Sequence, residues 1–291
     1  MSNPLLNERF FGTTTSGGAV GSTAPGWGGG APAPGAPIPP AWDNAQVSDW
    51  DPARAGKVMT IGGTVSATGV LLLLVLAGGA FGWTRVTETT GVDALGRTVT
   101  TIESFPAGWV FGPMIVGLVL ALICSFKPPM ARFLAPLYAV AQGIFVGAIS
   151  HAYDVQTNGI VVQAILATAG VFAAMLVLYG LRVLRATPRF TKGVIAATFG
   201  VMAVYLVGWV ASIFGADLRF WSDASPLGIA FSVVVVAIAA FNLILDFDFI
   251  ERGSKAGLPA HMEWFGAFGL VVTIIWLYLE LLRLLSKLQQ R

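Results

Sequence analysis

The sequence predicts an all-α integral membrane protein whose seven transmembrane helices form a bundle. Three observations lead there. Of 291 residues, 55% are hydrophobic and 11% charged, whereas soluble domains carry about 25% charged residues. The mean hydropathy is +0.75. After residue 57 the chain contains seven apolar runs, each long enough to cross a hydrocarbon core at about 20 residues per helix. Backbone groups in lipid must bond internally, so every run is expected to be helical.

Residues 1–57 form a leader of low complexity, with the stretch "TSGGAVGSTAPGWGGGAPAPGAPIPPAW" at its centre. Glycine and proline at this density leave too little aliphatic surface to fold alone, so a disordered segment is expected. No secretory signal fits, because the first apolar run starts near Val58 behind this polar leader. The membrane domain spans 58–291, with runs at 58–83, 107–126, 131–151, 159–181, 193–214, 226–249 and 264–285. Pro128 and Pro129 separate the second and third runs, between Lys127 and Arg132. "RVLRATPRFTK" separates the fourth and fifth. Gly112 and Pro113 predict a kink in the second helix. Gly143 with Gly147, and Ala196 with Gly200, have the spacing that lets membrane helices approach closely. Trp83, Trp109, Trp209, Trp221 and Trp264 fall near run ends, where aromatic belts form.

Basic residues set the orientation. One side receives Arg54, Lys57, Lys127, Arg132, Arg182, Arg185, Arg189, Lys192, Arg252 and Lys255; the other loops hold Arg85, Arg97 and Arg219. The positive-inside rule puts the leader in the cytoplasm and, after seven crossings, the C-terminus outside. Arg283, Lys287 and Arg291 pull mildly the other way.

The inventory argues against an enzyme. A zinc hydrolase needs about three converging ligands, and the two histidines, His151 and His261, are predicted on opposite sides of the membrane. Ser150 and His151 are adjacent, so on a helix they point about 100° apart and do not form a nucleophile and base. No phosphate loop follows a strand, since no strand is evident. A retinal-bearing lysine would have to lie mid-helix, and Lys287 lies beyond the last run. Cys124 is the single cysteine, so no intrachain disulfide exists. A net charge of +2 gives no reason to expect nucleic acid. No cofactor is implied, and the oligomeric state is not legible.

The acids carry the remaining information. Within the runs they are Asp246, Asp248 and Glu280. A carboxylate inside a bilayer is costly unless it is paired, wetted or protonated. Asn242 precedes Asp246 by four residues and shares its helical face, whereas Asp248 points about 200° away. Glu251, Arg252, Lys255 and Glu263 follow in the loop. Such hard oxygen ligands at a pore mouth suit a cation such as Ca²⁺, with Asp246 as its ligand. The competing reading has Asp246 and Asp248 ending the helix and pairing with Arg252 or Lys127.

Three stretches resemble the Bax-inhibitor-like (transmembrane Bax inhibitor motif) family of seven-helix membrane proteins, in its bacterial branch. They are "KPPMARFLAPLYAVAQGIFVGAIS", "NLILDFDFIERG" and "WLYLELLRLLSKL". The likeness runs from about residue 57 to the end and leaves the leader outside. It implies a bundle with the last helix central, in a bacterial plasma membrane, acting as a pH-sensitive calcium leak channel. In that family two carboxylates on the sixth and seventh helices share a proton, and a basic residue at the end of the second helix latches the first of them. The resemblance assigns the sixth-helix acid to Asp246 and the basic latch to Lys127. Matching "LYLEL" puts the second acid at Glu280, while matching the helix end through "LLR" puts that position at Thr273.

Depth separates these alternatives. Entering near Trp264, the seventh helix places Glu280 roughly 24 Å in, at about 1.5 Å per residue, with Asp246 only about 5 Å from that side. The two acids are then too far apart to share a proton. Either Glu263 partners Asp246, or Asp246 acts with Asn242 alone and Glu280 pairs with Arg283. Protonation of Asp246, or an ion bound there, would break a contact with Lys127 and change the inner constriction. A rival from another class is a non-conducting regulator that binds a membrane protease or stress-response partner, with the leader as a docking segment.

Overall fold

The computed structural model describes residues 57–92, 98–104, 107–214 and 223–290. The leader at 1–56 lies outside them, as do Arg97, Arg219, Trp221 and Arg291. Among the described residues, seven helices are long and apolar enough to cross a membrane. In chain order they are α1 Ile61–Trp83, α2 Ala107–Phe126, α3 Ala131–Gln156, α4 Ile160–Gly180, α5 Pro188–Ile213, α6 Pro226–Lys255 and α7 His261–Gln289.

Several helices outrun their apolar runs. α6 continues six residues past 249 because Asp248 with Arg252, and Glu251 with Lys255, form i,i+4 pairs that support its last two turns. α5 starts at Pro188 rather than 193: Thr187 caps it, accepting from the Phe190 N–H, and proline fits the first turn. Hydropathy marks the part of a helix that lies in lipid, not where its hydrogen bonding stops.

The expectation of no strands is overturned. β1 Thr87–Val92 and β2 Thr98–Ser104 form an antiparallel hairpin between α1 and α2. Its threonines and valines are β-branched and favour extended backbone. The pattern is short and lies between long apolar runs, which conceals it. His151 on α3 steadies the hairpin: its Nδ1 donates to the Trp83 carbonyl at 2.8 Å and its ring stacks on Trp83. Its Nε2 lies 3.7 Å from a Glu88 carboxylate oxygen on β1.

α1 and α3 pack backbone to backbone. A Cβ on Gly147 would fall 2.0 Å from the Gly79 carbonyl oxygen, and one on Gly143 would fall 2.4 Å from that of Val75. Only glycine permits this approach. Gly200 on α5 meets nothing within 4 Å of a notional Cβ, so the Ala196–Gly200 spacing serves no interface among the described residues.

α7 packs against α1, α3, α4 and α6. It is 67% buried over its most apolar window, against 17% for α2 and for α5. Leu243, Ile244 and Leu277 form one core with it on the α6 side; Leu71, Ala135, Ala139 and Val271 form another on the α1–α3 side. Chain entry is pinned to the start of α7. Met59 N–H donates to Leu258 O at 2.6 Å and Ala260 N–H to Lys57 O at 2.8 Å, while the Met59 side chain fills the space left by Gly253 and Gly266.

Candidate functional site

Two polar centres lie along α7, both facing neighbouring helices. The first is at Asp246. α6 continues nine residues beyond it to Lys255, so Asp246 sits about 13 Å from the helix end. That is deeper than the 5 Å expected from a run ending at 249. Its carboxyl faces α7 at Gly269 and Thr273. Oδ1 is 3.5 Å from where a side chain on Gly269 would begin, and the Thr273 hydroxyl lies beside the carboxyl. That hydroxyl also donates to Gly269 O at 3.2 Å. Oδ2 is shut off from solvent and has no hydrogen-bond partner among the described residues. Polar atoms in such a position are rare in folded proteins and point to a water, an ion or a chemical role.

Glu263 does not partner Asp246. Its Oε1 accepts from the Thr60 N–H at 2.9 Å and from the Thr60 hydroxyl at 2.8 Å, holding the start of α1 to the start of α7. Glu263 lies six residues before Gly269, about 9 Å along α7. Asn242 turns elsewhere too: its amide donates to the Thr198 hydroxyl on α5 and to Ile238 O, both at 2.9 Å. Sharing a face of α6 does not make Asn242 and Asp246 one site, because that face is wide enough to touch both α5 and α7. Asp248 pairs with Arg252 at 2.8 Å. Lys127 is exposed, and its side chain forms no hydrogen bond or ion pair among the described residues. α2 packs on α3, away from the face where Asp246 meets α7, so the expected latch is not formed.

The second centre is at Glu280, seven residues beyond Thr273 and hence about 10 Å further along α7. The residue is 2% exposed. Oε1 accepts from the Tyr205 hydroxyl at 3.0 Å and from Arg283 Nη1 at 2.9 Å; Oε2 accepts from Arg283 Nη1 at 2.8 Å. Lys287 lies within α7, not beyond it. It is buried, and its Nζ donates to Gly228 O at 3.0 Å and to Ser232 Oγ at 2.8 Å on α6. Spacing could have revealed it, since Glu280, Arg283 and Lys287 recur at i, i+3 and i+7 on one face. Tyr205, Thr198 and Gly269 carried no comparable signal.

Among the described residues no three His, Cys, Asp or Glu side chains converge as a metal site. Asp246 brings one carboxyl group to this centre, with the Thr273 hydroxyl beside it.

Seven membrane-length helices with a carboxyl group buried between two of them define an integral membrane protein with a polar centre inside its lipid-spanning region. The chain belongs to the Bax inhibitor 1 like family, whose description matches residues 3–290. The match reaches back through the leader, which the motifs alone had left outside. Glycine–proline sequence carries no hydropathy period from which that part of the likeness could be read. Comparison with curated proteins finds no match.

Proposed function

We propose that the protein is a pH-sensitive cation pathway, a calcium leak channel or exchanger, with Asp246 on the ion path. It would lie in a bacterial plasma membrane with its N-terminus in the cytoplasm and its C-terminus outside. One observation carries the reading: Asp246 Oδ2 is buried with no partner among the described residues. A proton or a passing cation supplies the missing partner, so occupancy by either changes the charge that α6 presents to α7. Family membership supports the same direction.

The gate differs from one built on two acids sharing a proton. Thr273 stands opposite Asp246, the position that helix-end matching gives to the second acid. A hydroxyl can hydrogen-bond a carboxyl but cannot repel it, so proton sensing falls to Asp246 alone. Calcium flux into proteoliposomes of the purified chain, measured at several pH values beside Asp246→Asn, tests this. Flux that varies with pH in the wild type and loses that variation in the variant is expected. Absence of flux above empty liposomes, from protein shown to be folded, would overturn the reading in favour of a regulator that acts through a membrane partner.

A further inference from the structure

The turn joining α4 to α5 borders a cavity of about 540 Å³, lined among others by Tyr179, Arg182, Arg185, Thr187, Asp248 and Arg252. It lies at the ends of α4 and α6 and the start of α5, away from both polar centres of α7.

Arg182 has φ 58°, the only positive φ outside glycine among the described residues. It ends α4 in a Schellman motif. Its N–H donates to Tyr179 O at 2.9 Å, and the Val183 N–H donates to Leu178 O at 3.0 Å. This left-handed position normally takes glycine, because a Cβ is strained there. Strain held at such a position points to a use for the side chain.

The charges around the cavity bear on that use. Asp248 is taken by Arg252, whose Nη2 also donates to Ala186 O at 3.0 Å. Glu251, also in the lining, is held by Lys255 and by the Tyr179 hydroxyl. Both acids are thus committed. Arg182 and Arg185 form no ion pair among the described residues, and Arg185 Nε only donates to Arg182 O at 3.3 Å. The cavity therefore presents two guanidinium groups without a close ion pair among the described residues, Arg185 and, within electrostatic reach of Glu251, Arg182, with the Thr187 hydroxyl free to donate. Planar guanidinium forks match the oxygens of a phosphate two at a time.

We propose that this cavity binds a phosphate group, held by Arg182 and Arg185, from either an anionic phospholipid head or a soluble phosphate. The site is independent of the Asp246 pathway. The test is thermal unfolding of the full chain in an uncharged detergent. It is titrated with short-chain phosphatidylglycerol, inorganic phosphate, diacylglycerol of the same chain length, and chloride at matched ionic strength. Wild-type Tm rises with phosphatidylglycerol if the source is lipid and with inorganic phosphate if it is soluble; diacylglycerol and chloride do not reproduce the rise. Arg182→Gln with Arg185→Gln needs about tenfold more ligand or shows no rise. Arg182→Gly separates strain from folding: without ligand it melts above the wild type, and its response to ligand is weakened. No rise from either phosphate source, an undiminished rise in the double variant, or no ligand-free gain in Arg182→Gly would each overturn the proposal.

Discussion

At Glu280 both carboxylate oxygens accept hydrogen bonds, from an arginine on the same helix and a tyrosine on α5, and the residue is closed off from solvent. At Asp246, about two turns back along the α6–α7 interface, one oxygen is equally closed off and has no partner among the described residues. Both acids lie within membrane-length helices and look alike in the sequence. One is compensated and holds helices together. The other is left incomplete, which stability alone does not favour. The difference separates an acid whose hydrogen bonds hold helices together from one with a buried oxygen left open, which is what the proposed proton or ion role rests on.

The largest way to break the comparison is Arg283→Met. It leaves the Glu280 carboxylate buried with its main partner gone, and losing one half of such a pair costs about 3–5 kcal/mol. Unfolding of the purified variant in detergent should show this as a large loss of stability. A loss near zero would mean that Glu280 is as uncommitted as Asp246.

Glu263→Ala comes next. It removes two hydrogen bonds to Thr60 and should cost about 1–2 kcal/mol, since the acceptor is charged but partly exposed. The pH response of flux should be unchanged, because Glu263 serves the start of α1 and not Asp246. A lost pH response in a folded variant would restore Glu263 as the partner.

Lys127→Gln and Asp248→Asn are expected to have the smallest effects. The lysine side chain is unpaired among the described residues, and the Asp248–Arg252 pair is an i,i+4 contact at the edge of the fold, worth about 0.5 kcal/mol or less. Stability within that margin and an unaltered pH response are expected for both. A pH profile that moved in Lys127→Gln would bring back the latch between α2 and α6.

Seven helices and their order could be read from hydropathy because lipid allows few alternatives to a helix. Gly143 and Gly147 were legible as a close-approach pair, and the structure sets the backbone of α1 against both. Asp246 stood out as an acid in an apolar run, and Glu280 with Arg283 as a pair three residues apart. The partners of Asp246 were harder to read. How deep it sits, and so which residues of α7 it meets, depends on where α6 ends, and the charged i,i+4 pairs carried that end past the apolar run. Asn242 and Glu263 looked close by spacing and depth, yet each is drawn away by a hydroxyl on another helix or at a helix start, Thr198 and Thr60. Such contacts join residues far apart in sequence, and no local pattern records them.

The most direct measurement sets the two acids side by side: calcium flux across pH in proteoliposomes of the wild type, Asp246→Asn and Glu280→Gln. The glutamine amide oxygen can still accept from Tyr205 and Arg283, so that variant should fold. Loss of the pH response in Asp246→Asn, with the response kept in Glu280→Gln, is the expected result. A response kept in Asp246→Asn and lost in Glu280→Gln would contradict the account and move the proton site to the other end of α7.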